Sequence, residues 1–285
     1  QLLSDAEILR LLRITSQLGV TKVRFTGGEP LIRKNVMQLF QTVSEENLFQ
    51  AWSITTNGVT TQRYLKELKA LGLKSINLSL DTLDQQRFLQ ITRRDHLNDV
   101  LQTLHHALDI GIHVKVNMVV QFGINDQDIA SMSALAVQHP IDVRFIEEMP
   151  FNGGERQIKS ICDAAFILHE LKKHYSDLTI SEHHHGETAQ NYTSSQLKGR
   201  LGIIAAWTRS FCGTCNRLRI TPDGTLKTCL YASGGLSLRN MIRNGEDDME
   251  IASRIQQAIA HKFADGHEAE RISGKPHDSM ATIGG

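Results

Sequence analysis

Residues 75–81 read SINLSLD and residues 113–119 read HVKVNMV, and in both stretches every second position is polar. Ser75, Asn77, Ser79 and Asp81 alternate with Ile76, Leu78 and Leu80; His113, Lys115 and Asn117 alternate with Val114, Val116 and Met118. Successive side chains of a strand point to opposite faces, so each stretch predicts a strand with one apolar and one polar face. Three further runs repeat the pattern. Arg24 and Thr26 alternate with Val23 and Phe25, Ser53, Thr55 and Asn57 with Trp52 and Ile54, and Asp142 and Arg144 with Val143 and Phe145.

Strands near 22–26, 52–56, 75–80, 113–119 and 142–146 are separated by helix-like segments around 34–47, 60–71, 97–110 and 126–137. That rhythm predicts right-handed crossovers and a parallel sheet. Ahead of it, Ser4 and Glu7 form a capping-box pattern that opens an amphipathic helix through Ile8, Leu9 and Leu12. Strands of a parallel sheet covered on both faces normally read as continuous apolar runs. Unpaired polar groups on a dry face cost about 1 to 3 kcal/mol each. Two arrangements accommodate the polar face: half-solvated antiparallel strands, or a curved parallel sheet whose concave side lines a ligand-filled lumen. The helix spacing favours the second, a wider and incomplete barrel. Ligands then meet the carboxyl ends of the strands, at Gly27, Gly28 and Glu29, Asn57 and Gly58, Ser79 and Asp81, Asn117, and Glu147 to Met149.

Beyond Phe151 the alternation of strand and helix is expected to stop. Residues 151–157 read as a loop, 163–174 as a helix, 181–196 as a polar His- and Ser-rich tract and 201–206 as a strand. Helices are expected near 236–243 and 247–263, and 264–285 reads by composition as a frayed tail.

The 285 residues are 40% hydrophobic and 22% charged, which excludes a disordered or collagen-like chain. Lysine plus arginine and aspartate plus glutamate balance at 31 each, so a polyanion can be held only by a local cluster. With 6% aromatic residues, the balance weighs against a nucleic-acid partner. No run is apolar enough to cross a bilayer and none reads as a signal peptide, so the expectation is a cytoplasmic protein with no membrane partner.

Three of the four cysteines cluster in 211–230, FCGTCNRLRITPDGTLKTCL. Cys212 and Cys215 can present two thiolates to one metal, and the turn at 221–224 lets Cys229 supply a third. Three ligands leave one position open, which suits a catalytic zinc or an iron–sulfur cluster with one free iron. His183 to His185 could add a fourth ligand, but that tract reads as a solvated loop. Cys162 reads as a small buried hydrophobe. Arg217 and Arg219 lie on one side of an extended stretch. They either neutralise the thiolates or join Arg24 and Lys115 in holding a phosphorylated ligand.

FTGGEPLIR (25–33), TTNG (55–58), NLSLD (77–81), KVN (115–117), RFIEEMP (144–150), the three-cysteine segment and the terminal Gly-Gly together resemble the GTP 3',8-cyclase family of radical S-adenosylmethionine enzymes. That family begins molybdenum-cofactor biosynthesis. The resemblance implies an α/β fold: an incomplete (β/α)6 TIM-like barrel over 1–150, lacking its first strand here. An α+β extension over 151–285 would carry an iron–sulfur site. It implies a second 4Fe-4S cluster on Cys212, Cys215 and Cys229, whose open iron holds the guanine. GTP contacts fall on Arg24, Thr55, Lys115, Arg217, Leu218 and Arg219, and S-adenosylmethionine contacts on Gly28, Ser79 and Met149. Catalytic roles fall on Arg217, Arg219, Gly284 and Gly285, which turns the tail from a frayed end into a functional one. Implied partners are GTP, S-adenosylmethionine, a flavodoxin or ferredoxin as electron donor, cyclic pyranopterin monophosphate synthase as recipient of the product, and a second copy in a homodimer. The family's C-x3-C-x2-C motif for the first 4Fe-4S cluster is expected upstream of residue 1. Without it the chain is expected not to cleave S-adenosylmethionine and to expose a sheet edge. Two rivals remain: another radical S-adenosylmethionine enzyme with an auxiliary cluster, and a zinc-stapled nucleotide-binding module.

Overall fold

The computed structural model describes residues 2–149, 162–182, 187–206, 208, 212 and 215–274. Helix α1 (Asp5–Gln17) starts as its sequence dictates, with a capping box in which Ser4 and Glu7 satisfy each other's backbone N–H. Then follow β1 (Lys22–Phe25), α2 (Val36–Glu45), β2 (Ala51–Thr56), α3 (Leu65–Ala70), β3 (Ser75–Ser79), α4 (Gln85–Thr92), α5 (Leu97–Asp109), β4 (His113–Val120), α6 (Ile129–Gln138) and β5 (Asp142–Glu147). All five strands pair in sequence order and in parallel. The five strand expectations hold to within a residue or two. Helix α4 was not foreseen, because its polar sequence buries only Phe88.

The barrel sheet does not end at residue 150. After α7 (Ala164–His174), strands β6 (Thr179–Ile180) and β7 (Gln190–Thr193) lead to β8 (Arg200–Ile204), which pairs in parallel with β5. The sheet order is β1-β2-β3-β4-β5-β8-β7-β6, with β6 and β7 antiparallel at the far edge. The expected stop of the β–α rhythm at Phe151 is therefore corrected. Ile167, Leu171, Tyr192, Leu201 and Ile203 join the same apolar core as Ile54, Ile76, Val116 and Phe145. The expected polar tract over 181–196 contains β7, whose buried Asn191 and Tyr192 pair with Gly202 and Leu201.

The remaining elements are β9 (Arg219–Ile220), β10 (Thr225–Lys227), β11 (Leu236–Ser237), α8 (Leu238–Arg243), α9 (Asp248–Ala260) and α10 (Gly266–Ser273). Strands β9 to β11 form a small antiparallel sheet. Part of the expected frayed tail is helical. Asp265 caps α10, Ala269 is fully buried, and Ser273 receives the backbone N–H of Ser233. Leu11 and Ile14 of α1 share a second core with Leu226, Leu238, Ile251 and Ile255, so the N-terminal helix is built into the C-terminal elements. Arg10 bonds Asp248, and Arg243 bonds Glu7, across the same seam. This is an α/β fold with a partial TIM-like barrel sheet. Among the described residues no helix is long and apolar enough to cross a membrane.

Candidate functional site

The apolar positions of β2 to β5 face the helices and are buried, while the alternating polar positions face the other way. Pairing registers place those polar groups side by side: Arg24 beside Ser53, Thr55 beside Asn77, Asn77 beside Lys115, Lys115 beside Asp142, and Asn117 beside Arg144. In a flat sheet β1 and β5 lie about 19 Å apart. Arg24 nevertheless feels the charges of Arg144, Arg217 and Arg219, as a sheet curled around its polar face explains.

Arg24 keeps solvent access while its guanidinium lies among other groups of the sheet's polar face. Desolvation among those groups, then the neighbouring Arg217, Arg144 and Arg219, draws its pKa down to about 10. Because water reaches the side chain, it stands as a charged group on the polar face of the sheet. Lys115, half-buried, is drawn down to about 8, first by burial and next by Arg144; Asp142 works in the opposite sense. Arg144 and Arg217 are lowered by burial, and Arg217 donates to the Thr188 hydroxyl at 3.0 Å. Asp142, buried, is the main counter-charge. It bonds Arg200 at 3.1 and 3.0 Å and His113 at 3.3 Å, and lies 3.8 Å from Arg144.

Four buried polar atoms on this face have no hydrogen-bond partner: Asn77 Oδ1, Asn117 Oδ1, Arg144 Nε and Asn191 Oδ1. Such atoms are normally paired with protein, water or ligand. A lumen of this kind accepts a large anion carrying both donors and acceptors.

The cysteine segment meets this face. Arg219 is lowered by burial and by Arg217, and is held up by Cys215 and Cys229, so the arginines and the thiols share one side. Lys115 and Arg24 thus stand on the same side of the sheet as the cysteines. Cys212 and Cys229 pack with Met149, Leu230 and Phe263 around buried Tyr231. Burial pushes the Cys229 thiol up. The donor chemistry fits a thiophilic metal or cluster, although among the described residues no three ligating side chains stand close enough to form a finished ligand group. Cys162 is buried, as expected of a small hydrophobe, with a pKa pushed up to about 11 by burial.

Leu218 lies between the two arginines and packs its side chain into the second core, so it can offer a ligand only its backbone. Gly28 has open space where a Cβ would stand, and Ser79 is exposed at the end of β3. Gly284, Gly285 and His183 to His185 lie outside the described residues. Sequence reasoning missed Arg144, Arg200, Asp142 and Asn191 as site groups. Arg144 and Asp142 stood in the alternation and could have been weighed. Arg200 and Asn191 depend on the β5–β8–β7 register, which no local pattern reveals.

Comparison with known proteins matches residues 1–136 to the Radical SAM superfamily and residues 141–268 to Molybdenum Cofactor Synthesis C. The chain is 37% identical over 280 residues to the GTP 3',8-cyclase of Clostridium botulinum, covering 98% of this chain and 86% of that protein. It is 37% identical over 288 residues to molybdenum cofactor biosynthesis protein 1 of Dictyostelium discoideum, covering all of this chain but only 46% of that protein. Among solved structures, Streptococcus suis SuiB bound to its precursor peptide SuiA is similar with a TM-score of 0.51. At 21% identity it covers 61% of this chain and 39% of that one, a likeness of fold alone.

Proposed function

This chain belongs to the GTP 3',8-cyclase family of radical S-adenosylmethionine proteins, and on that premise we propose that it acts in converting GTP to (8S)-3',8-cyclo-7,8-dihydroguanosine 5'-triphosphate, the first step of molybdenum-cofactor biosynthesis. The observation that carries this reading is the convergence of Arg24 and Lys115 from the sheet with Arg217 and Arg219 from the cysteine segment. These four cations, with Arg144 beside them and Asp142 as counter-charge, in a chain of zero net charge, match a triphosphate rather than a neutral substrate.

Arg24, Thr55 and Lys115 hold the phosphates and ribose, while Arg217, the Leu218 backbone and Arg219 bracket the guanine. Gly28, Ser79 and Met149 hold S-adenosylmethionine at the carboxyl ends of β1, β3 and β5. Cys212, Cys215 and Cys229 would hold a second 4Fe-4S cluster, which would supply a binding position for the base. When bound, S-adenosylmethionine with the family's first cluster supplies the radical that opens the ribose C3'–H bond. The residues of this chain would orient ribose C3' toward bound S-adenosylmethionine and hold guanine C8 within bonding reach of C3'. Gly284 and Gly285 complete the site. A flavodoxin or ferredoxin supplies electrons, the product passes to cyclic pyranopterin monophosphate synthase, and the compartment is the cytoplasm.

Calorimetric titration with GTP tests the reading. Arg217→Ala is expected to weaken binding about tenfold or more, as loss of a charge-assisted bond implies. Unchanged affinity would overturn the purine or phosphate role. Anaerobic metal analysis separates the rivals: iron with acid-labile sulfide supports the cluster, and zinc without sulfide supports a staple.

A further inference from the structure

Glu147, the last residue of β5, is fully buried and takes no part in the binding scheme above. Its carboxylate joins two segments far apart in sequence. Oε1 accepts the backbone N–H of Ala164 at 2.7 Å, at the start of α7. Oε2 accepts the backbone N–H of Thr208 at 2.8 Å, and the Thr208 hydroxyl donates to both oxygens at 3.1 and 3.2 Å. At the start of helix α7 Asp163 accepts from Phe166, and Glu147 satisfies a second end donor at Ala164, so the carboxylate ties the helix start to Thr208.

Thr208 opens the stretch that carries Cys212, Cys215, Arg217 and Arg219. The far end of that stretch is held at the same place. The Tyr231 hydroxyl, two residues past Cys229, donates to the Ala206 carbonyl and lies 3.8 Å from the sulfur of Met149, two residues past Glu147. Ala206 and Thr208 at the entry and Tyr231 at the exit are thereby pinned together against the end of one barrel strand. Buried hydrogen bonds to a carboxylate are among the strongest neutral-pH restraints a fold can apply, and a site is accurate only when such restraints hold its ligands.

The geometry points to Glu147 as a positioning residue that, with Tyr231, closes the base of the cysteine segment and presents its thiols and arginines to the lumen before any metal binds. The clamp itself is independent of the proposed activity; only its effect on GTP rests on that reading.

Iron-free protein is alkylated with iodoacetamide under anaerobic conditions and the rate is followed at each cysteine by mass spectrometry. In Glu147→Gln the rates at Cys212, Cys215 and Cys229 are expected to rise about tenfold, the effect of losing one strong buried hydrogen bond on local opening. Buried Cys162 should stay protected and so reports the intact barrel. Unchanged rates at the three thiols, with Cys162 protected, overturn the proposal. If Glu147→Gln also unmasks Cys162, which lies two residues from the Ala164 end of the clamp, Thr208→Val and Tyr231→Phe decide instead. Each should free the three thiols by a smaller factor with Cys162 protected, and no increase in either overturns the clamp. GTP affinity of Glu147→Gln should fall in parallel with thiol release. If wild-type protein binds no GTP while the variant still frees its thiols, the functional reading fails and the clamp stands.

Discussion

Across the β5–β8 pair, Asp142 accepts hydrogen bonds from both Nε and Nη2 of Arg200, at 3.1 and 3.0 Å. This bidentate bond fixes a buried carboxylate that faces Lys115 and Arg144. It is the counter-charge to Lys115, Arg144 and Arg200 on that wall.

Replacing Asp142 with Asn is expected to destabilise the fold by about 3 kcal/mol, because removing one partner leaves buried guanidinium charge uncompensated. Burial alone would raise the Asp142 pKa, yet hydrogen bonds from His113 and Arg200 and the charge of Arg200 hold it well below the usual carboxylate range. A lowered folded-state pKa contributes stability that is complete above the unfolded value, about 4, and is lost as pH falls below it. Urea titrations at pH 7 and pH 3 check both points: the gap between wild type and variant should narrow at the lower pH. A gap that stays constant would remove the charge argument.

Lys115 carries the opposite sign. Its pKa is drawn down to about 8, so holding a proton there costs folding free energy below that pH, and the cost is relieved as pH rises toward the unfolded value near 10. Lys115→Met is therefore expected to be more stable than wild type at pH 7, by about 1 kcal/mol after allowing for solvent screening. The same variant should bind GTP more weakly. Wild-type affinity for GTP should decline as pH passes about 8, while Lys115→Arg should show a flatter profile. Calorimetry across pH 6.5 to 9.5, with matched urea titrations, reads both effects.

Glu29 of the GGEP stretch acts inside the fold rather than on a ligand. Its carboxylate accepts the Asn57 N–H at 2.8 Å, the Thr56 hydroxyl at 2.9 Å and the Leu31 N–H at 3.2 Å, tying the loop after β1 to the end of β2. Burial pushes its pKa up, and these bonds partly restore it. Glu29→Ala strands two backbone donors and should cost about 2 to 4 kcal/mol. Glu29→Gln keeps one acceptor and should fall between. Equal losses for the two variants would show that packing, not hydrogen bonding, sets the effect.

The strands and their polar face were legible because period-two alternation is a local property, and Arg24, Thr55, Ser79 and Lys115 could be placed on one wall from it. The meeting of that wall with Arg217 and Arg219 was one of two readings open from the residues, and the motif resemblance favoured it. What escaped was non-local. Nothing within 181–196 announces that Asn191 pairs with Gly202, or that β8 extends the barrel sheet past β5. Helix α10 escaped for a different reason: its buried surface is mainly Gly266 and Ala269, too small to leave an apolar stripe in the sequence.

The turn that brings Cys229 back toward Cys215 offers a direct test of how tightly the cysteine hairpin is held. Gly224 sits at φ +83°, and a Cβ there would stand 2.7 Å from Arg239 Cβ and 2.9 Å from Leu3 Cδ2. Its carbonyl also receives the N–H of Leu238 at 2.9 Å. Gly224→Ala pays for left-handed backbone and for steric overlap together, an expected loss of about 2 to 4 kcal/mol. Gly234→Ala is the comparator, since φ is +74° but nothing lies within 4 Å of its Cβ. It should cost only the backbone penalty of about 1 to 2 kcal/mol. Strand β10 follows Gly224 directly and pairs Lys227 with Arg219, so displacement of the turn shifts Arg219 in the lumen. GTP affinity should therefore fall in Gly224→Ala and hold in Gly234→Ala. Identical behaviour of the two variants, in thermal melts and in calorimetry, would mean that the hairpin tolerates movement at its turn without disturbing the cation wall.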